Sequence, residues 1–368
     1  MKIAVFYHLR FGGAKRVVQE HVKGLRALGH TIDLYSTEKE DDIFDPGLFA
    51  HHEYIYPFSL SQSIVPFWGR VQKDVDVFYR LPLLHKKIAQ DIDMRGYDIV
   101  LAHTDSLTQA PFLLRYLKTN NVYFCLEPLR IAYEYSLRPP THLGFINTVY
   151  EYVTRSIRKR IDQENARSAK HTFALSFFGR EYMIHSFDLY PKISYLGVDE
   201  KVFTPMNVKK KRQVLFVAEK EYIYGYDLIQ KAMARIPKHK RPRLVFVFGT
   251  KNDRRITEKE LVKTYNESVV VVSLSRYDTF GLVPLEAMAC AVPVIALNVA
   301  GYRETMLSGR TGFLVDFDPQ EIADKIMYLL DNPKIAHQMG QNGRTWVEKT
   351  WTWKKQIKHL EKLLLETV

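Results

Sequence analysis

Cysteine is scarce: the 368 residues hold two, Cys125 and Cys290, each inside an apolar pattern and neither beside another cysteine or a metal-spaced histidine. That spacing suggests neither a disulfide framework nor a zinc site and leaves two buried free thiols as the expectation. No apolar run reaches the roughly 18 residues of a membrane span. Internal repeats and low-complexity tracts are also missing, and the one N-terminal glycine pair, Gly12-Gly13, lacks the full GxGxxG pattern. The opening residues Met1 to Tyr7 are short, β-branched and followed by a glycine turn, so they read as a strand and not a signal peptide; the expectation is a cytoplasmic protein.

An acidic excess is missing as well. The net charge is +12 and unevenly placed: residues 1–200 carry 25 Lys/Arg against 23 Asp/Glu, residues 201–368 carry 28 against 18. The surplus concentrates in Lys209 to Arg212 and Lys238 to Arg243. Such runs suit an anionic ligand, an acidic membrane surface or nucleic acid, and equally a solvated linker. Neither is interleaved with aromatics as a single-strand platform is, which makes nucleic acid the poorer partner.

At this length two domains are expected. Lys2 to Tyr7 is an apolar strand. After Gly12-Gly13, Ala14, Val17, Val18, Val22, Leu25 and Leu28 follow a helical period closed by Gly29, and Thr31 to Ser36 returns as a strand, giving a βαβ unit. Asp98 to His103, Val122 to Leu126 and His171 to Ser176 continue the series. Around Tyr195 to Pro205 the periodicity lapses before a new strand at Gln213 to Ala218. The predicted domains are therefore 1–196 and 197–351, followed by an amphipathic helix, 352–368. The second array alternates strands near Leu244 to Phe248, Val269 to Leu274 and Pro293 to Leu297 with helices near Tyr226 to Ile236, Pro284 to Ala291 and Pro319 to Leu330. The fold class is α/β, two Rossmann-like doubly wound parallel sheets.

The most informative stretch is Ser275-Arg-Tyr-Asp-Thr-Phe-Gly-Leu-Val-Pro-Leu-Glu286, which sets Asp278 and Glu286 eight positions apart around a strand-to-helix turn. Pro284 suits the first position of the helix, which places Glu286 in its first turn. Amides of Phe280, Gly281 and Leu282 then lack intrahelical partners and favour bound negative charge. On spacing alone, Asp278 reads equally as a turn residue and Glu286 as a complement to the helix dipole.

This segment resembles the carboxylate-x7-carboxylate signature of retaining glycosyltransferases of family 4, whose GT-B fold has two Rossmann-like domains facing an interdomain cleft. The connector Gly197-Val-Asp-x-x-Val-Phe-x-Pro205 resembles the family's interdomain segment. The resemblance implies that Asp278, with Asp in place of the usual Glu, contacts donor sugar hydroxyls, that Glu286 binds the nucleotide ribose, and that the amides from Phe280 to Leu282 bind sugar or phosphate. It further implies that Gly12 and Gly13 approach the donor, that His103 at a strand end lies near the donor sugar, and that helix 352–368 packs back on the first domain. No general base is assigned, because in such enzymes the leaving phosphate helps to deprotonate the acceptor. No metal and no cofactor are expected; a nucleotide diphosphate sugar is the co-substrate.

Other candidates carry plainer readings beside the functional one. His103 reads as a satisfied structural histidine. Glu127 and Arg130, with Tyr133 and Tyr135, lie at a strand end suited to acceptor hydroxyls or to a surface ion pair. The aromatic, basic region from Tyr54 to Leu84, including Phe58, Phe67, Trp68, Arg70, Lys73, Phe78 and Arg80, has no clean period; in the family this part shapes the acceptor site or touches membrane. Thr154 to Ile161 is basic and helical, a second membrane candidate or a solvent face.

One departure is serious. Where the family has a Gly-Arg and a Lys-Gly gripping the donor diphosphate, this chain has Glu219 and Tyr224, so leaving-group stabilisation must come from elsewhere. Lys220, helped by Arg276 or a basic loop, is the first candidate; a differently held donor or a poor catalyst are the others. The expected function is a cytoplasmic retaining glycosyltransferase, either free or peripheral to an anionic membrane, acting on a glycan, lipid-linked or small hydroxylated acceptor. The rivals are a catalytically silent sugar-nucleotide-binding or partner-binding subunit and an anionic-polymer binder.

Overall fold

The computed structural model describes residues 1–9, 12–38, 44–62, 66–134, 144–247 and 256–368, the side chains of 66 and 67 excepted. The Phe67 side chain, Tyr135 and Phe248 thus lie outside the described residues. The chain divides into two compact units: 1–175 with 179–194 and 357–368, and 176–178 with 195–356.

Among the described residues, the first unit holds a seven-stranded parallel sheet of β1 (Lys2–His8), β2 (Thr31–Ser36), β3 (His52–Ile55), β4 (Ile99–Asp105), β5 (Asn121–Cys125), β6 (His171–Ala174) and β7 (Lys192–Ile193), in the order β3-β2-β1-β4-β5-β6-β7. Every residue of β4 is buried, as expected of a central strand covered on both faces, which is why these strands read as apolar runs without alternation. The order reverses beside β1, so the carboxyl ends of β1 and β4 form a switch point of the kind that receives ligands in open α/β sheets.

The region from residue 54 to 84, without period in the sequence, is β3 followed by helix Pro66–Val75, a π turn at Asp76–Arg80 and helix Leu81–Met94. The π turn closes i to i+5 and shifts the apolar face, so no single 3.6-residue period runs through it. Helix Phe145–Arg167 lies alongside: Arg70 donates to Glu151 and Arg158 to Asp74.

The second unit holds a five-stranded parallel sheet among its described residues: β8 (Gln213–Val217), β9 (Arg243–Val247), β10 (Val270–Ser273), β11 (Val294–Leu297) and β12 (Gly312–Val315), ordered β12-β11-β10-β8-β9. Strand β12 and helix Pro333–Thr350 are additions to the elements expected from sequence.

The last helix, Trp353–Leu365, divides at residue 357. Within the first unit Ile357, Leu360 and Leu364 are buried, and Glu361 accepts from His30 at 2.8 Å. Both cysteines are buried and free; burial pushes the Cys290 thiol up to about 12 and that of Cys125 higher still, so neither is a nucleophile at neutral pH.

Candidate functional site

In the second unit the chemistry-bearing residues sit at the carboxyl ends of β8 and β10, which pair directly. After β10 the chain turns through residues 274–281 into helix Leu282–Ala289. Gly281 caps that helix at φ +97°, a conformation that suits glycine, and a Cβ there would meet the Tyr302 ring at 2.8 Å. This cap sets the start earlier than expected. Pro284 is the third helical residue, where its missing N–H is still one of the unsatisfied first four, and Glu286 falls in the second turn.

Asp278 folds onto its own turn. Its Oδ1 accepts from the amides of Phe280 (3.1 Å) and Gly281 (2.8 Å), and its Oδ2 accepts from the Tyr302 hydroxyl (3.1 Å). Two of the three amides expected to await a ligand are thus taken internally. The cause is the short side chain: aspartate reaches amides two and three residues on, the geometry of an Asx turn. A carboxylate offers roughly four acceptor sites. Three protein donors therefore leave capacity for one more, and the residue is only half-buried.

Tyr302 was not legible as a site residue. It comes from a separate short helix, Tyr302–Thr305, and is fully buried, its hydroxyl also 2.8 Å from Ser273 Oγ. Burial, with Asp278 beside it, pushes its phenol well above the usual range, so it stays protonated beside the carboxylate. Gly301 precedes it. The Gly301 amide donates to the Asp278 carbonyl at 3.0 Å, and a Cβ there would lie 2.5 Å from Phe280 Cα. Thr279 is held from another side, its carbonyl accepting from Ser176 Oγ at 2.6 Å.

Glu286 is 3% exposed, and its Oε2 accepts from the Tyr265 hydroxyl at 2.8 Å. Tyr265 is a second residue missed in the sequence, where it sits in an ordinary amphipathic helix, Glu258–Glu267. Lys220 is exposed, with its ammonium 5.9 Å from the Phe246 ring centre, and Glu219 beside it is half-buried. Arg276, expected to help Lys220, instead grips Asp227 with both terminal nitrogens (3.0 and 3.1 Å) and stacks 3.8 Å from the Tyr222 ring. Its charge is neutralised within the protein.

In the first unit the candidates gather at the carboxyl ends of β1, β4 and β5. Gly12 caps helix Gly13–Ala27 at φ +90°, with open space where a Cβ would stand. His103 is enclosed at 0% exposure. Its Nε2 lies 3.4 Å from His21 Nδ1, while its Nδ1 has no hydrogen-bond partner. Burial pushes it down to about 3 and holds His21 low too, so both rings are neutral and one donates to the other. Glu127 and Arg130 pair with each other. The loop that holds them is fixed from beneath by Asp162, whose carboxylate accepts from the amides of Leu129 (3.1 Å) and Ala110 (3.0 Å).

Beside His103 lies a cluster that sequence reasoning passed over. His8, His85 and Asp105 are buried, and one ligand atom of each lies within 4.8 Å of the others, a spacing that a cation can share. Hydrogen bonds account for part of it. His8 Nδ1 is 3.0 Å from Asp105 Oδ2, and His85 accepts from the Leu113 amide at Nδ1, while its Nε2, 3.5 Å from the same oxygen, makes no hydrogen bond.

The sequence profile of the family described as "Glycosyl transferases group 1" matches residues 254–346. A D-inositol 3-phosphate glycosyltransferase of Paenarthrobacter aurescens (strain TC1) is 30% identical over 195 residues, 43% of this chain and 47% of that protein. The chain spans about half the length, or less, of the curated relatives it matches. Among solved structures, sucrose-phosphate synthase from Thermosynechococcus elongatus matches with a TM-score of 0.72 at 18% identity over 100% of this chain and 99% of that one. Anabaena HepE in complex with UDP-glucose matches with a TM-score of 0.71 at 16% identity over 99% of each chain. These likenesses give both parallel-sheet units the GT-B fold, and the glycosyl transferases group 1 profile covers the turn from Asp278 to Glu286.

Proposed function

We propose that the protein is a retaining glycosyltransferase that moves a sugar from a nucleotide diphosphate donor to a glycan, lipid-linked or small hydroxylated acceptor. The observation that carries this reading is the Asp278 turn: a half-buried carboxylate with spare acceptor capacity, held by Tyr302 at a sheet's carboxyl edge, inside the segment matched by the family profile. In the reaction the bond from the anomeric carbon to the donor phosphate breaks and a bond to the acceptor oxygen forms on the same face. The acceptor proton passes to the leaving phosphate.

The roles follow the chemistry of each residue. Asp278 accepts from a sugar hydroxyl, and Glu286 fixes the ribose. Gly12, Gly13 and the Leu282 amide contribute to the phosphate environment, Lys220 supplies positive charge to the diphosphate, and Glu127 with Arg130 binds the acceptor. His103, neutral and enclosed, bears on the donor sugar only if its Nδ1 becomes accessible. The nucleoside diphosphates UDP and GDP are the donors to try first, since relatives and neighbours carry UDP-glucose or are named GDP-mannose-dependent.

A second reading, a silent sugar-nucleotide-binding subunit, is favoured by Glu219 and Tyr224 and by the tied-up Arg276. A thermal-shift screen with nucleoside diphosphates, followed by mass spectrometry of products from a donor panel with a lipid extract, separates the two. Binding without turnover on any acceptor selects the silent subunit. The anionic-polymer reading loses some support because part of the basic runs is engaged within the protein: Lys210 donates to the Ser268 carbonyl, Lys211 pairs with Glu267 and Arg241 donates to the Ile236 carbonyl.

A further inference from the structure

Helix Phe145–Arg167 carries an apolar face that the described residues of the unit leave exposed. Phe145, Ile146, Val149, Tyr152, Val153 and Ile157 are 83, 72, 45, 56, 52 and 41% exposed. At about 100° per residue these six fall within one arc of roughly 140° and extend about 18 Å along the axis. Single exposed apolar residues need no explanation, but a contiguous stripe does.

The opposite side of the same helix is committed to the protein. Glu151 takes Arg70 and Arg155, Arg158 takes Asp74, and Asp162 is buried against backbone amides. The two acids nearest the stripe's length, Glu151 and Asp162, therefore both point away from it. Past Ile157 the arc continues to Arg160, 81% exposed, with Lys159 at its edge. Arg160 meets Glu164 at 2.7 Å, an exposed pair of little strength that leaves the guanidinium able to turn to another anion.

We propose that this face docks the protein on an anionic lipid surface, with the aromatic and aliphatic stripe in the interfacial layer and Lys159 and Arg160 against phosphate headgroups. The pattern is that of an interfacial helix, whose apolar side chains enter the acyl boundary while long cationic side chains reach the headgroups. Lipid is favoured over a second copy of the chain by charge, because the stripe carries no acid along its apolar length and meets Lys159 and Arg160 before the first acid of its arc, Glu164. The same helix also touches the loop proposed for the acceptor, Arg155 donating to the Ile131 carbonyl at 3.2 Å. Docking here would bring that loop to a lipid-linked acceptor. This last link alone rests on the proposed acceptor reading.

The test is co-sedimentation of the full chain with vesicles of phosphatidylcholine, with and without phosphatidylglycerol. Wild type should bind the phosphatidylglycerol vesicles about tenfold more tightly than phosphatidylcholine alone. Phe145→Ser with Ile146→Ser should weaken binding to both by about tenfold, and Lys159→Ala with Arg160→Ala should abolish the preference for phosphatidylglycerol. Thermal midpoints and UDP-induced thermal shifts should match wild type in both variants, which keeps a failure of docking distinct from a failure of the donor reading. No vesicle binding by wild type overturns the proposal, as does full phosphatidylglycerol preference in the Lys159 and Arg160 variant. So does concentration-dependent dimerisation that the Phe145 and Ile146 variant abolishes while vesicles are ignored.

Discussion

The Asp278 carboxylate closes back on the Gly281 amide, 2.8 Å away, so the residue proposed to meet the sugar also fixes the turn that leads into the helix carrying Glu286. Asp278→Ala should therefore lower stability by about 1 kcal/mol through loss of the turn's hydrogen bonds, and turnover by about a hundredfold. Asp278→Asn keeps an oxygen for the two amides and should regain most of the thermal midpoint without regaining turnover. Full activity in the Asn variant would show that the carboxylate serves only the turn.

Glu286 is nearly enclosed, and a ribose must compete there with protein donors such as Tyr265. Glu286→Ala should weaken nucleoside diphosphate binding by about tenfold, the loss of a hydrogen bond to a charged group. Tyr265→Phe should weaken it less, by about threefold, because it frees the carboxylate without removing it. Calorimetric titration with UDP and GDP measures both. A drop in thermal midpoint with unchanged affinity in the Ala variant would reassign Glu286 to the core.

Lys220 is exposed and follows Glu219, the acid that stands where the family resemblance implies a phosphate-binding arginine. Lys220→Ala should reduce nucleoside diphosphate affinity about fivefold, more at low salt than at high, whereas Glu219→Gln should raise it. Affinities that ignore both substitutions would place the diphosphate elsewhere.

Asp162 gives a pH signature. Its burial lifts the carboxyl from 3.8 to about 7 against the pull of the Ala110 and Leu129 amides. Between those two values the folded protein holds a proton that the unfolded chain has released, so this group's contribution to stability falls as pH rises through the window and levels off above it. Asp162→Asn removes the dependence. Thermal midpoints from pH 4 to 8 should show wild type losing ground to the variant as pH rises; parallel curves would contradict the assignment.

The pairing of Asp278 with Glu286, the glycine break at Gly281 and the βα alternation were legible in the sequence, because each is written in residues close along the chain. The helix containing the π turn was not, since a change of helical closure erases the period by which a helix is recognised. Nor were the partners that decide what the candidate residues do. Tyr302, Tyr265, His21 and Asp162 lie between 21 and 82 positions from the groups they engage, and ordinary core and helix positions give no sign of them.

The sequence by itself determined the architecture, through glycines and apolar strands, and the resemblance of its carboxylate turn suggested the class of chemistry. The tertiary structure alone decided how much of that chemistry is open to a ligand. It turned the short Asp278 side chain onto its own amides, neutralised Arg276 with Asp227, and buried His103 beside His21. The physical reason is that hydrogen-bond capacity and solvation belong to packed neighbours, which converge only when distant segments fold together.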